Sequence, residues 1–410
     1  LIYIIESQEI EGYIMEIKNS KALKKHNQQT ILSEIIKRQP ISRSNLTQYL
    51  DVSHTTISYL VKDLINKGLV VENIADSTGG RPPRLLSFKG DNKYIISISL
   101  EERKIIYAIY NLDIELIDKE IINVNNELFI DIMNKIEKTS RLKNKEFNIN
   151  QKQIFGIGVS VPGIYKADKD VVISSTTHYL GNIKLKTELN KIFNYAPIYI
   201  DNDANLSVYY EWSHMLDRDY DNLIYIYVVD GIGSGIIVDN TLYTGSHGNA
   251  GEIGHMKVKD GGKKCICGNK GCLETISSIK AIEDDFNKAV DKGEYTFLTD
   301  IFKYPFDYKE IIDGYLKNDR LSKKIIDRAI KYFVQALSSI INIFDPQIII
   351  LGGLFDEFNE DMLEKIDNKL DTLYFPDKND KPKIINRREQ SNYQILAITF
   401  FVFDKFKVNF

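Results

Sequence analysis

The stretch Gly248-Asn249-Ala250-Gly251-Glu252-Ile253-Gly254-His255, with Cys265-Ile266-Cys267-Gly268-Asn269-Lys270-Gly271-Cys272 beginning ten residues after His255 and Glu274 just beyond, decides how this chain is read. Cys265, Cys267 and Cys272 are the three cysteines of a 410-residue chain. Three cannot pair off, so a secreted disulfide scaffold is excluded. Three thiolates and the imidazole of His255 are the ligand set of a closed tetrahedral Zn2+ site. Gly268 and Gly271 permit the tight turns between the ligands. Four protein ligands leave no position for an activated water, so the expected zinc is structural.

On both sides of this knuckle the chain alternates strands and helices. Tyr94–Leu100, Lys104–Tyr110, Glu115–Asn123, Ile154–Val161 and Ile198–Ile200 read as strands, and Leu128–Lys138 reads as a helix. Leu223–Val229 and Gly235–Asp239 read as strands flanking a Gly-rich turn. A helical stretch, Ser278–Phe344, breaks around Lys303–Phe306 and leads into strand Ile348–Leu351. Tyr393–Phe406 reads as a closing helix. Strands with crossover helices imply α/β layers. No internal repeat and no low-complexity tract is visible.

The N-terminal part is denser. Ile31, Leu32, Ile35 and Ile36 form one helical face, which Pro40 ends. Leu46 and Leu50 lie on a second short helix opened by Ser42 or Ser44. After the turn Asp51-Val52, Ser53 has the position of an N-cap. Ile57, Leu60, Val61, Leu64 and Ile65 then repeat with helical spacing, and Gly68 ends that helix. Leu69–Val71 and Leu85–Phe88 read as a two-stranded ribbon with a tip at Asp76–Pro83. Three helices and a ribbon make a winged helix-turn-helix. Its third helix offers Ser53, His54, Thr55, Thr56, Ser58, Tyr59 and Lys62 as groups that suit base edges and phosphates. The wing tip Gly79-Gly80-Arg81 offers a slim backbone and one guanidinium for a narrow, AT-rich minor groove.

Charge supports this division. Residues 21–90 carry 11 Lys+Arg against 5 Asp+Glu, whereas the other residues carry 42 against 52. A basic head on an acidic body fits polyanion binding at one end. No apolar run reaches the ~18 residues of a membrane-spanning helix. Leu1–Gly12, with three glutamates and no basic start, does not read as a signal peptide. A cytoplasmic protein is expected.

Six stretches together resemble the ROK family, named for repressors, open reading frames and sugar kinases, in its winged-helix repressor branch. They are Ile41–Ile57 with Gly79–Pro82, Gly156–Gly163, Asp201–Asn205, Gly248–His255, Cys265–Glu274 and Asp345–Gly353. The resemblance implies an actin-like two-lobe α/β body with a sugar cleft between the lobes. It divides the chain into an extension (1–20), the winged helix (21–90), a first lobe (91–200, completed by 391–410) and a second lobe with the zinc knuckle (201–390). It also implies that Asn202, Asp203, Glu252, His255 and Glu274 contact the sugar, with one ring nitrogen of His255 on zinc and the other on the ligand. Gly163 is either a sugar-facing turn or simply a turn.

Family kinases hold ATP phosphates with two glycine-rich loops. The first falls here at Ser97-Ile98-Ser99-Leu100-Glu101 and the second at Val229-Asp230-Gly231. Glycines that would free backbone N–H groups for phosphate are missing, and Glu101 and Asp230 oppose a phosphate. The expectation is therefore no enzyme but a sugar-responsive regulator, most simply a repressor, with a monosaccharide effector and operator DNA as partners. Xylose is the first candidate, because the family's xylose repressors share this layout. The alternative is a ROK-type sugar kinase with a DNA-binding head. A homodimer or higher oligomer is implied by the family and would match a palindromic operator.

Overall fold

The computed structural model describes residues 20–74, 84–173, 175, 177–216, 219–373, 380–386 and 393–409. The head comprises α1 (Ser20–Arg38), β1 (Ile41–Ser42), α2 (Arg43–Leu50), α3 (His54–Asn66), β2 (Val70–Ile74) and β3 (Arg84–Phe88). Ser42 opens α2, its side chain accepting from Asn45 N–H. Ser53 opens α3, accepting from Thr56 N–H at 3.2 Å. Ile57, Leu60, Val61 and Leu64 bury one face of α3 against Ile31, Leu32 and Ile35 of α1. The expected two-stranded ribbon is a three-stranded sheet in the order β1-β3-β2. Two residues, Ile41 and Ser42, pair antiparallel with Leu86 and Leu85. A strand that short leaves no alternating pattern to read.

The body begins with β4 (Tyr94–Leu100), β5 (Lys104–Asn111) and β6 (Leu116–Asn123), followed by α4 (Phe129–Glu146), β7 (Ile154–Val161), the hairpin β8 (Ile164–Lys166) and β9 (Val171–Ile173), α5 (Leu185–Ile192), β10 (Ile198–Asn202) and α6 (Asp203–Tyr210). A second set follows: β11 (Leu223–Val228), β12 (Ile232–Val238), β13 (Thr241–Leu242), α7 (Ile279–Asp291), α8 (Tyr308–Leu316), α9 (Arg320–Phe344), β14 (Ile348–Gly353), α10 (Glu360–Asp371), β15 (Lys383–Asn386) and the closing α11 (Tyr393–Asn409). The first sheet runs β10-β7-β4-β5-β6 and the second β13-β12-β11-β14-β15. In each, an antiparallel meander of three strands is extended by two strands parallel to its first. The body is thus a topological repeat, which the sequence reading missed because shared strand order requires no shared side chains. The first hairpin turn of each sheet, 101–103 and 229–231, occupies the equivalent place.

Other boundaries moved for local reasons. The helix expected at Leu128–Lys138 continues to Glu146, because Thr139 and Ser140 are buried within it rather than ending it. The long helical stretch is three helices, with breaks at 292–307 and 317–319. Ile232-Gly233-Ser234-Gly235, read as a turn, is the start of β12. Its glycines answer to packing, not to turning. A Cβ on Gly235 would lie 2.3 Å from the Ala204 carbonyl oxygen and 2.5 Å from Val208 Cγ1 of α6.

Helix α11 is apolar on nearly every side, as a helix with neighbours all round must be. Ile398 and Val402 cover the first sheet over Gly158, and Ser97 of β4 bonds Thr399 at 2.7 Å. On another side Gln394 Nε2 donates to Ser207 Oγ of α6 at 3.0 Å, and Tyr393 OH to Glu211 Oε1 at 2.9 Å. Near its far end Phe403 meets Phe88 of the head edge-on, with centroids 6.1 Å apart. Residues of the head, α6, α11 and both sheets form one continuous apolar cluster.

Candidate functional site

The cysteine knuckle forms as its residues require. His255 Nδ1 lies 3.4 Å from Cys265 Sγ, and Cys267 Sγ lies 3.6 Å from Cys272 Sγ. All four candidate ligand atoms lie within 4.8 Å of one another. Zinc–sulfur bonds of ~2.3 Å give a tetrahedral edge of ~3.8 Å, so the donor set fits one metal ion. Burial pushes the Cys272 thiol up to about 12, a cost that a divalent cation removes by binding the thiolate. Among the described residues this is the one group of three or more metal-binding side chains whose ligand atoms converge.

His255 also joins the knuckle to the cleft. Its other nitrogen, Nε2, faces Glu252 Oε2 at 3.9 Å. Glu274 Oε1 lies 3.9 Å from Cys265 Sγ, while its Oε2 accepts from Ile232 N–H at 3.3 Å. Gly251 must lie against β12 for this to happen: its φ is +86°, and a Cβ there would fall 1.9 Å from the Ser234 carbonyl oxygen. Glu252, His255 and Glu274, three of the five sugar-site candidates, therefore share one small region.

Asp201 and Asn202 end β10, and Asp203 is the first residue of α6. Asn202 is the N-cap. Its Oδ1 accepts from Ala204 N–H at 2.8 Å, and its Nδ2 donates to the Gly163 carbonyl at 2.9 Å. This candidate is thus largely engaged in holding the turn, and Gly163 holds it in return. Burial raises Asp203 to about 7, and the charges of Glu101 and Glu252 add to the shift. Burial likewise raises Glu252, with Glu274 adding and His255 and Lys166 opposing. Glu101 is raised by burial, Lys104 opposing and Asp230 adding.

Lys166 was not singled out from sequence. It reaches from hairpin β8–β9 to the His247 carbonyl and Asn249 Oδ1, on the loop that carries Glu252. A lone lysine on a three-residue strand leaves no signal of such a contact. A cavity of about 360 Å³ opens beside Asp203, between the two sheets. Glu101 and Asp230 line it where the glycine-rich loops of a kinase were sought.

On the head, His54, Thr55, Tyr59 and Lys62 of α3 are exposed, as is Ser53 at its cap. Thr56 and Ser58, expected to be exposed, are partly buried. Thr56 Oγ1 lies 2.9 Å from Ser53 Oγ, and Ser58 Oγ lies 3.4 Å from His54 Nδ1. Lys24 of α1 donates to Tyr59 OH at 3.1 Å, which leaves the ring outward at 60 % exposure. Gly79, Gly80 and Arg81 lie outside the described residues.

A winged helix on a body of two matched sheets with a cleft between them defines a DNA-binding head on an actin-like α/β frame. Family models agree: "Winged helix DNA-binding domain" matches residues 25–84 and "ROK family" matches residues 95–396. The chain belongs to the ROK family. It is 32 % identical over 360 residues to the xylose repressor of Caldicellulosiruptor bescii, covering 85 % of this chain and 88 % of that one. It is 27 % identical over 405 residues to the xylose repressor of Bacillus subtilis, covering 96 % and 98 %. In fold it matches the crystal structure of a ROK family transcriptional regulator described as a homologue of the E. coli MLC protein. The TM-score is 0.80 at 23 % identity, over 94 % of this chain and 98 % of that one. No described helix is long and apolar enough to cross a membrane.

Proposed function

We propose that this chain is a sugar-responsive transcriptional repressor of a carbohydrate-utilisation operon, acting in the cytoplasm. Its winged helix, residues 21–90, binds operator DNA through Ser53, His54, Thr55, Thr56, Ser58, Tyr59 and Lys62, with Gly79, Gly80 and Arg81 in the minor groove. Its effector is a saccharide held in the cleft between a first lobe (91–200 with 391–410) and a second (201–390) by Asn202, Asp203, Glu252, His255 and Glu274. Relatives named xylose repressor favour xylose as the first sugar to test. The protein works as a homodimer or higher homo-oligomer on a palindromic site.

His255, Cys265, Cys267 and Cys272 hold a structural zinc. The ion stiffens the knuckle and, through Nδ1, fixes the ring whose Nε2 faces the ligand. The protein is not an enzyme: Glu101 and Asp230 set negative charge where a phosphate would need N–H donors, so Asp203 has no acceptor to serve as a base.

One observation carries this reading. Asp203 begins α6, α6 is hydrogen-bonded to α11, and α11 packs against Phe88 of the head. A sugar that draws Asp203 toward Glu252 and Glu274 acts on the helix against which the head rests, so sugar and operator favour different arrangements of one body. The test is a gel shift on the upstream operator with and without xylose, glucose, N-acetylglucosamine, xylobiose and cellobiose. One sugar should change operator affinity at least fivefold. Sugar phosphate formed from ATP by the purified protein, or operator binding indifferent to every sugar, would defeat the proposal.

A further inference from the structure

The cavity beside Asp203 is larger than the contacts of one sugar ring explain. It starts at Ser160 and Asp203 and extends past Glu101 and Asp230 to Glu283 and Tyr308, with Tyr227 along its wall. Electrostatic neighbours trace its length: Asp203 with Glu101, Glu101 with Asp230, Asp230 with Glu283. Glu283 Oε1 accepts from Tyr308 N–H at 3.1 Å, which fixes that end. Its volume, about 360 Å³, falls within the range of small-molecule sites.

Two ligand classes fail on this lining. A nucleotide or sugar phosphate would set its anion among Glu101, Asp230 and Glu283, with Lys104 already bound to Glu101 at 3.3 Å and Arg103, the other cation of the lining, set beside Glu283. A metal ion needs converging ligands, and the carboxylates here follow one another in a row without converging on a point. What the row does offer is successive hydrogen-bonding groups along the cavity, with two tyrosines, Tyr227 and Tyr308, for apolar contact. That pattern suits a polyhydroxylated ring. Gln394 also lines the cavity, at its Asp203 end: its Nε2 donates to Ser207 Oγ at 3.0 Å, and that Oγ donates to the Asp203 carbonyl at 2.7 Å.

We propose that this cavity is a second saccharide subsite, so that the effector is a disaccharide or glycoside whose first ring lies at Asp203 and whose second ring lies against Glu283 and Tyr308. This rests on the reading of the cleft as a sugar site and names the ligand more narrowly. Where a kinase of this fold would admit nucleotide, this chain admits the rest of its own ligand. Gln394 sits on α11 at the Asp203 end, so the first ring would also lie near the helix that carries the head.

The test is calorimetry on the zinc-loaded full-length chain with xylose, xylobiose, glucose and cellobiose, and with AMP-PNP as a control. A disaccharide should bind at least tenfold more tightly than its monosaccharide. Glu283→Gln and Tyr308→Ala should remove most of that margin and leave monosaccharide affinity within twofold. Circular dichroism confirms that each variant folds, and Glu283→Gln preserves the shape of the side chain should Tyr308→Ala disturb it. Equal or weaker disaccharide binding overturns the subsite while leaving the sugar cleft standing, as does AMP-PNP binding that displaces the disaccharide. Absence of binding by all four sugars overturns the cleft reading and the subsite with it.

Discussion

Head and body gather their recognition groups in opposite ways. In the head, Ser53 through Lys62 present the candidate DNA-facing groups from consecutive turns of one capped helix. In the body, Asp203, Glu252, His255 and Glu274 come from three separate segments, held by β12, a glycine loop and the cysteine knuckle. A contact face on one helix survives if that helix survives. A site assembled from distant segments depends on everything that spaces them. Substitutions in the head should therefore act locally, and those in the body should act through the scaffold.

The largest effect is expected at Cys272, fully buried in the knuckle. Cys272→Ser should reduce zinc from one per chain to near none by elemental analysis and lower the melting temperature by several degrees, since metal binding and folding are coupled there. Sugar affinity should fall with it, because His255 and Glu274 lose their anchor. Undiminished sugar affinity in a zinc-free variant would break the contrast drawn above.

At pH 8, where Asp203 is ionised, Asp203→Asn keeps the shape but turns an acceptor into a donor. It should cost about 1–3 kcal/mol of sugar affinity in calorimetry, while operator binding without sugar is unchanged. The same variant tests a pH effect. Folded Asp203 keeps its proton up to about pH 7, whereas an unfolded aspartate releases it near ~3.9. The folded state then binds the extra proton between those values, so its advantage is complete below about pH 4 and is lost as pH rises to about 7. Denaturant titrations at several pH values should find this slope in the wild type and a flatter one in Asp203→Asn.

Smaller effects belong to the head. Ser53→Ala should remove the α3 cap, at about 1 kcal/mol, and weaken operator binding measured by fluorescence anisotropy without altering sugar affinity. Least of all, Lys62→Ala should weaken every DNA sequence alike and reduce the slope of log affinity against log salt by about one unit, the signature of one phosphate contact. A sugar-binding defect in either head variant would mean that the two sites are less separate than their construction implies.

The same contrast explains what could be read from sequence. The three head helices followed from apolar spacing and from Ser53 and Gly68 at the ends of the third, with the opening of the second left between Ser42 and Ser44, because caps and helical faces are local. The cysteine cluster was legible for the same reason: thiols have few other uses at such spacing. Strands Tyr94–Leu100 and Ile154–Val161 were found residue for residue, since buried strands are short apolar runs with clear ends. What escaped was non-local. Gly235 looks like a turn residue until α6 is laid across it. Lys166 meets Asn249 only once the two lobes are folded, and Asn202, expected to face a sugar, meets Gly163 across the β7–β8 turn. The repeat of sheet order left no trace, because strand pairing is a property of backbones.

The passage from head to body has a consequence for the DNA itself. Lys89 N–H donates to the Leu69 carbonyl on the head side, and Leu112 N–H donates to the Gly90 carbonyl on the body side, with Phe88 wedged against Phe403. The five residues between β3 and β4 are closed by a turn, with Lys93 N–H donating to the Gly90 carbonyl at 3.2 Å. In a dimer the two α3 helices would then be set at one span and one angle, like the jaws of a fixed gauge. Inserting a single base pair between half-sites shifts one of them by roughly 3.4 Å and turns it by roughly 35°, and to follow it the junction would have to break the contacts that tie it. The distance between half-sites would be read as strictly as the bases within them.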